Sequence, residues 1–134
     1  MNIIKQFNLP YCKIQVRDDD IVFLEIQDGV EIDPLKVMEL IQLAEENMAR
    51  PFAILSNKIH SYSLSFEAMS KLAHYDNMVA LAIVVHSAKS RLLVETQNFF
   101  ISTLKKKPIK IFMDIDSADT WLQKTLQEMQ VGSY

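Results

Sequence analysis

Only two glycines occur in the 134 residues, at positions 29 and 132. A phosphate-cradling loop needs several glycines close together, because the backbone must approach the phosphate with no Cβ in the way. Neither of the common glycine-rich loops can be built here. The nucleophile elbow of serine hydrolases also needs flanking glycines and is excluded with them. Cysteine occurs once, as Cys12, so an internal disulfide is excluded. With no secretory leader behind Met1, the lone thiol points to a reducing, cytoplasmic compartment. Cys12 has no histidine beside it and reads as a small buried hydrophobe rather than a nucleophile. Long apolar runs are missing too. The longest, Met78 to Val85, is far short of the roughly 20 residues a spanning helix needs, so stable membrane insertion is not expected. Charge of one sign is not in excess: 14 basic and 17 acidic residues, interspersed, leave a net charge of −3. A nucleic-acid binder would carry a basic face, so nucleic acid is not an expected partner.

What is present is enough apolar material for a core. Hydrophobic residues make up 49 % of the chain, which suits a packed globule and not a disordered one. At this length a chain buries roughly two-thirds of its unfolded surface without a staple. No linker, repeat or low-complexity tract divides residues 1–134, and a single domain is expected.

Lys13-Ile14-Gln15-Val16 alternates polar and apolar, the mark of a strand with one wet face, and this strand is expected at a sheet edge. Arg17-Asp18-Asp19-Asp20 suits a tight turn, and Ile21 to Ile26 reads as the returning strand of a hairpin. The three aspartates could attract a cation, though a solvated turn explains them as well. Asp33-Pro34 is a helix start, since the carboxylate caps free N–H groups and proline suits the first helical position. Val37, Ile41, Ala44 and Met48 then recur at helical spacing until Pro51. Phe52 to Leu55 reads as a buried strand, Ser56 to Ser63 as a polar loop, and Phe66 to about His74 as a second helix capped by Ser65. Val79 to Val85 is apolar on both faces of any pleat and suits a central, doubly covered strand. Ser87 opens a long helix through Leu104, with Lys105, Lys106 and Lys107 at the end that favours positive charge. Ile109 to Met113 is the last strand and Ser117 to about Glu128 the last helix. The order ββαβαβαβα predicts an α/β fold with a mixed, mostly parallel sheet and right-handed crossovers.

In such sheets ligands gather beyond the carboxyl ends of the parallel strands. Asn57, His60, His86 and Asp114 fall there and form a candidate polar crevice, a weak metal or anion site. The alternative is that they, with Ser56, Lys58, Ser87, Asp116 and Ser117, are ordinary strand-end and cap residues. His74 lacks the paired spacing of a helical zinc motif, so the sequence offers no dedicated metal site and calls for no cofactor. No nucleophile–base pair is assembled by any motif, so a non-enzymatic role is expected. Phe99 and Phe100 point in two directions from one helix, and one of them is left to a neighbouring element or a partner, such as a second copy in a homodimer.

Several blocks together resemble the STAS-like domains, named for sulphate transporters and anti-sigma factor antagonists, and in particular the free-standing bacterial members. The residues are Ile21-Val22-Phe23-Leu24 of the hairpin and Gly29-Val30-Glu31-Ile32. They continue with Pro51-Phe52-Ala53-Ile54-Leu55, Ser63-Leu64-Ser65, and Ala80-Leu81-Ala82-Ile83-Val84. The most specific block is Lys107-Pro108-Ile109-Lys110-Ile111-Phe112 followed by Ala118, Trp121 and Leu122. The resemblance implies a STAS-like fold over nearly the whole chain and a regulatory, protein-binding role without catalysis. Antagonist-type members carry a phosphorylatable serine where this chain has Ser63-Leu64-Ser65-Phe66. Ser65 is the first candidate for that switch and Ser63 the second, although the flanking aspartate and glycine of the motif are missing. An ordinary N-cap explains Ser65 as well. Likeness of some such folds to lipid-transfer domains implies the second functional reading, a small-molecule or lipid site in a hydrophobic pocket.

Overall fold

The computed structural model describes residues 2–48, 50–58, 63–92, 95 and 107–131. In chain order the elements are β1 (Ile3–Leu9), β2 (Cys12–Arg17), β3 (Ile21–Ile26), β4 (Glu31–Ile32), α1 (Pro34–Asn47), β5 (Phe52–Lys58), β6 (Ser63–Leu64), α2 (Phe66–Ala73), β7 (Met78–Val85), helical residues 88–92 (α3), β8 (Ile109–Phe112) and α4 (Ile115–Val131). Six strands form one sheet in the order β1-β2-β3-β5-β7-β8. β1, β2 and β3 pair antiparallel, and β3, β5, β7 and β8 run parallel. The mixed, mostly parallel sheet with an initial hairpin is therefore present, and the apolar strand β7 lies inside it.

The sheet edge differs from the sequence expectation. β2 is not the edge, because β1 pairs with it through a turn at Pro10 and Tyr11, with Leu9 opposite Cys12. Phe7 and Leu9 pack against the core from β1, while Gln6 meets Gln15 across the strands at 3.1 Å. The wet face of β2 thus reports a sheet face that no helix among the described residues covers, not a missing neighbour. The turn from β2 to β3 uses all its charges: Arg17 bonds Asp19 and reaches Asp119 of α4 at 2.9 Å. Asp20 takes a left-handed φ of 63° and pairs with Arg50 at 3.1 Å.

The helix boundaries follow their caps. Asp33 Oδ1 accepts from the Lys36 N–H at 2.9 Å and Pro34 opens α1. Ser65 Oγ accepts from the Ala68 N–H at 3.1 Å and opens α2. Ser87 Oγ does the same for Ser90 at 3.1 Å. α4 begins two residues earlier than expected, because Asp114, not Asp116 or Ser117, is the cap: its carboxylate accepts from the Ser117 N–H at 2.7 Å. Phe99, Phe100 and the lysines at 105 and 106 lie outside the described residues.

Two cores flank the sheet. On one face Ala53, Leu55, Ala80, Ala82 and Val84 meet Ala118 and Leu122 of α4, all with no exposed surface. Four alanines let this helix approach the sheet closely. Phe112 and Trp121 seal the margin with ring centroids 5.6 Å apart. On the other face α1 and α2 cover larger side chains, among them Ile14, Val22, Ile26, Phe52 and Leu81. Here Val37 is the one fully shielded residue of α1; Leu40, Ile41, Leu43 and Ala44 stay half-buried.

Candidate functional site

The segment from Ser56 was expected to be loop, but Ser56, Asn57 and Lys58 continue β5 and are buried. The cause is β7. An eight-residue parallel strand needs a partner of matching length to satisfy its amides, and Ser56, Asn57 and Lys58 pair with Ile83, Val84 and Val85. That length requirement was visible in the sequence, whereas polar composition pointed the other way.

Strand alternation sends these three residues to opposite faces. Asn57 faces the α4 side at the carboxyl ends of the parallel strands. His86 Nε2 lies 2.7 Å from Asn57 Oδ1, and Asn57 Nδ2 donates to Glu25 Oε1 at 3.3 Å. A polar row Glu25–Asn57–His86 therefore crosses β3, β5 and the end of β7. Sequence reasoning named Asn57 and His86 and missed Glu25. Asp114 does not join this row through its carboxylate, which caps α4 and is held below the usual carboxylate range by the Ser117 N–H. His60 lies outside the described residues. His74 ends α2, with Nδ1 2.7 Å from the Ser70 carbonyl. Among the described residues no group of three or more His, Cys, Asp or Glu side chains is placed to hold a metal ion.

Ser65 and Ser63 sit where α1 and α2 begin side by side. β4 and β6 pair parallel, Ile32 opposite Leu64, and the Ser65 N–H donates to the Ile32 carbonyl at 3.1 Å. The Ser65 hydroxyl is engaged as the cap of α2.

An apolar space lies on the α1/α2 face. A cavity of about 120 Å³ separates α1 from the sheet, with walls from Ile41, Ala44 and Met48 above and Phe7, Ile14 and Leu24 below. Ser56 and Tyr75 are the two hydroxyl residues in an otherwise apolar lining. The register places Phe7, Ile14, Leu24, Ser56 and Ile83 in one row across five strands. At about 4.8 Å per strand that row spans roughly 19 Å. α1 is tied to the hairpin by surface hydrogen bonds, Tyr11 Oη to Glu39 at 2.8 Å and Lys5 Nζ to Asn47 at 2.8 Å. Burial and the Glu39 carboxylate raise the pKa of the Tyr11 phenol. Lys58 follows Ser56 on the cavity side of β5. It is 4 % exposed, and burial pulls its pKa down.

An antiparallel hairpin leading into four parallel strands, with α1 and α2 on one face and α4 on the other, defines an α/β protein of STAS-like architecture. Comparison with solved structures agrees. An uncharacterised protein of the DUF3478 family from Shewanella loihica PV-4, described as having a SpoIIAA-like fold, aligns with a TM-score of 0.58 over 87 % of this chain and 97 % of that one, at 20 % identity. The chain belongs to the family described as Domain of unknown function (DUF7793), which it matches over residues 14–126. No curated protein matches it. Among the described residues no helix is long and apolar enough to cross a membrane.

Proposed function

We propose that this chain is a non-enzymatic binding module that holds a small apolar or amphiphilic molecule between α1 and the sheet. The supporting observation is the unequal filling of the two faces. The α4 face is closed by alanines with no exposed surface, whereas the α1 face keeps a cavity of about 120 Å³ lined by branched and aromatic side chains. Protein interiors are ordinarily packed to crystal density, with few voids larger than a water molecule. An apolar void of about 150 Å³ stays dry and accepts benzene, so the cavity as it stands suits a ligand of that scale. A ligand of the usual drug size needs roughly 300 Å³ and requires α1 to lift.

The test is an NMR titration with hexan-1-ol on the native protein and on Ala44→Phe, which puts a ring into the space. Saturable shifts at amides of α1 and β5, lost in the variant, are the expected result. Shifts that persist in Ala44→Phe, or that never saturate, would remove the reading.

A protein partner, the role implied by the STAS-like resemblance, finds support in one further observation. Leu35 and Met38 stand 76 % and 53 % exposed on α1, beside the Ser65 cap. A partner docking there is expected to lose affinity on Ser65→Asp, and binding indifferent to that change and to Met38→Asp would dismiss this second reading.

A further inference from the structure

Ser56 narrows the chemistry of the molecule that the cavity holds. Ile54 and Ser56 line the space, while Ala53 and Leu55 pack toward α4, so strand alternation turns the Ser56 side chain to the cavity. Its neighbours on both sides, Leu24 of β3 and Ile83 of β7, are cavity walls too. Those two pairings occupy the Ser56 backbone. The hydroxyl is different: Ser56 is 6 % exposed, and among the described residues no group bonds its side chain. A buried hydroxyl left without a hydrogen bond is rare in folded proteins and costs free energy, so it calls for an explanation. A water molecule in this space does not supply one. It needs two or more polar partners, and the lining offers Ser56 at one end and Tyr75 at the other. Tyr75 lies against Phe52, with ring centroids 6.1 Å apart, and Phe52 precedes Ser56 by four residues of β5, roughly 13 Å of strand.

We infer that the ligand is a small neutral amphiphile with one uncharged oxygen, which accepts a hydrogen bond from the Ser56 hydroxyl while the apolar body lies along β5 toward Phe52 and Tyr75. This rests on the reading of the cavity as a ligand site. A serine hydroxyl carries one proton to donate, and a single oxygen on the ligand satisfies it. The head is uncharged because, among the described residues, no lysine, arginine, histidine, aspartate or glutamate lines the space. An ion there would be desolvated without a counter-charge, which an apolar environment resists far more strongly than a hydrogen-bonded hydroxyl. The body is apolar because the lining residues besides Ser56 and Tyr75 present hydrocarbon or thioether side chains.

Hexan-1-ol and 1-chlorohexane share one apolar chain, and only the first has a head that accepts a hydrogen bond well. By NMR titration at pH 7, Ser56→Ala is expected to bind hexan-1-ol about fivefold more weakly than the native protein does, the scale of one neutral hydrogen bond. The same variant is expected to bind 1-chlorohexane at least as tightly as the native protein. Hexanoate is expected to bind the native protein more than about tenfold more weakly than hexan-1-ol, for want of a counter-charge. On the native protein, with no variant needed, nuclear Overhauser contacts from the Ser56 Hβ protons are expected to reach the methylene that carries the hydroxyl and not the terminal methyl. A hexan-1-ol affinity unchanged in Ser56→Ala, an equal loss for both compounds, contacts from Ser56 to the methyl end, or hexanoate binding as tightly as hexan-1-ol overturns the assignment of Ser56 and leaves the cavity reading standing. Absence of binding by both hexan-1-ol and 1-chlorohexane overturns the cavity reading, and the assignment with it.

Discussion

Leu122 and Leu43 are the same residue type on helices covering opposite faces, and they are expected to respond differently to truncation. Leu122 has no exposed surface and sits against alanines. Leu122→Ala leaves a hole the small neighbours cannot fill and is expected to cost about 3–5 kcal/mol by urea unfolding. Leu43 borders an existing cavity and is half-buried, so Leu43→Ala removes fewer contacts and is expected to cost under about 2 kcal/mol. Equal losses would mean that the two faces are packed alike. Cys12 belongs to the same scale. Burial pushes its thiol up to about 12, and a disulfide reagent at pH 8 is expected to label it only as fast as the protein unfolds. Lys58 gives the pH-dependent case. Its pKa in the folded chain is below the 10.5 of an ordinary lysine, so between the two values the unfolded state holds more protons and stability rises with pH. Cys12 and Tyr11, with raised values, act oppositely at alkaline pH. The difference between the native protein and Lys58→Met isolates the Lys58 slope: it is expected to shrink from pH 7 toward pH 10, measured as urea midpoints. Single residues such as these were legible where one local rule governs them, as with the caps Asp33 and Ser65. Lys58 and Glu25 were not, because the burial of Lys58 follows from the extension of β5 along β7 and the partner of Glu25, Asn57, lies on another strand.

The boundaries of α1 were readable because Asp33-Pro34 starts it and Pro51 follows it, both acting within a few residues. β1 was missed for the opposite reason. Its apolar alternation consists of Phe7 and Leu9 alone on the core side, and Ile3 and Ile4 are both exposed, so no period stands out. β5 was read short because its end is dictated by β7, about 25 residues away in sequence. What no periodicity conveys is how firmly an element is held. α1 and α4 have similar apolar stripes, yet α4 is seated by Ala118, Leu122 and Leu126, and α1 by Val37 with surface bonds at Tyr11 and Lys5. Hydrogen exchange is therefore expected to be faster through α1 than through α4, since local opening follows the number of buried apolar contacts. Tyr11→Phe, which removes the bond to Glu39 and little else, is expected to accelerate α1 selectively while costing less than about 1.5 kcal/mol overall. Uniform acceleration across both helices would show that α1 opens only with the whole molecule.

For the molecule as a whole, the cavity is a mismatch between four separate stretches of chain: a hairpin, a helix and two parallel strands that meet without filling the space between them. Each stretch reads as ordinary core in sequence, and a volume left between them leaves no trace in any of the four, so the polar strand ends drew attention first. The hairpin's part is specific. The family match begins at Ile14, so β1 lies outside it, yet β1 supplies Phe7 to the cavity wall and covers the edge of β2. Removing residues 1–9 would bare the N–H and C=O groups of β2, a strand whose Cys12, Ile14 and Val16 are buried on one side. An uncovered strand of this kind is a template for pairing with another copy. Loss of the Phe7 and Leu9 side chains is worth about 1.5–3 kcal/mol each where burial is complete, and less here. The truncated chain is thus expected to unfold at lower urea concentration, to self-associate with rising concentration in light scattering, and to bind hexan-1-ol more weakly. If it stays monomeric with an unchanged midpoint, β1 is an appendage. If it stays folded and binds hexan-1-ol as before, the ligand space is formed by α1, α2 and the parallel strands alone, and Phe7 is only its neighbour.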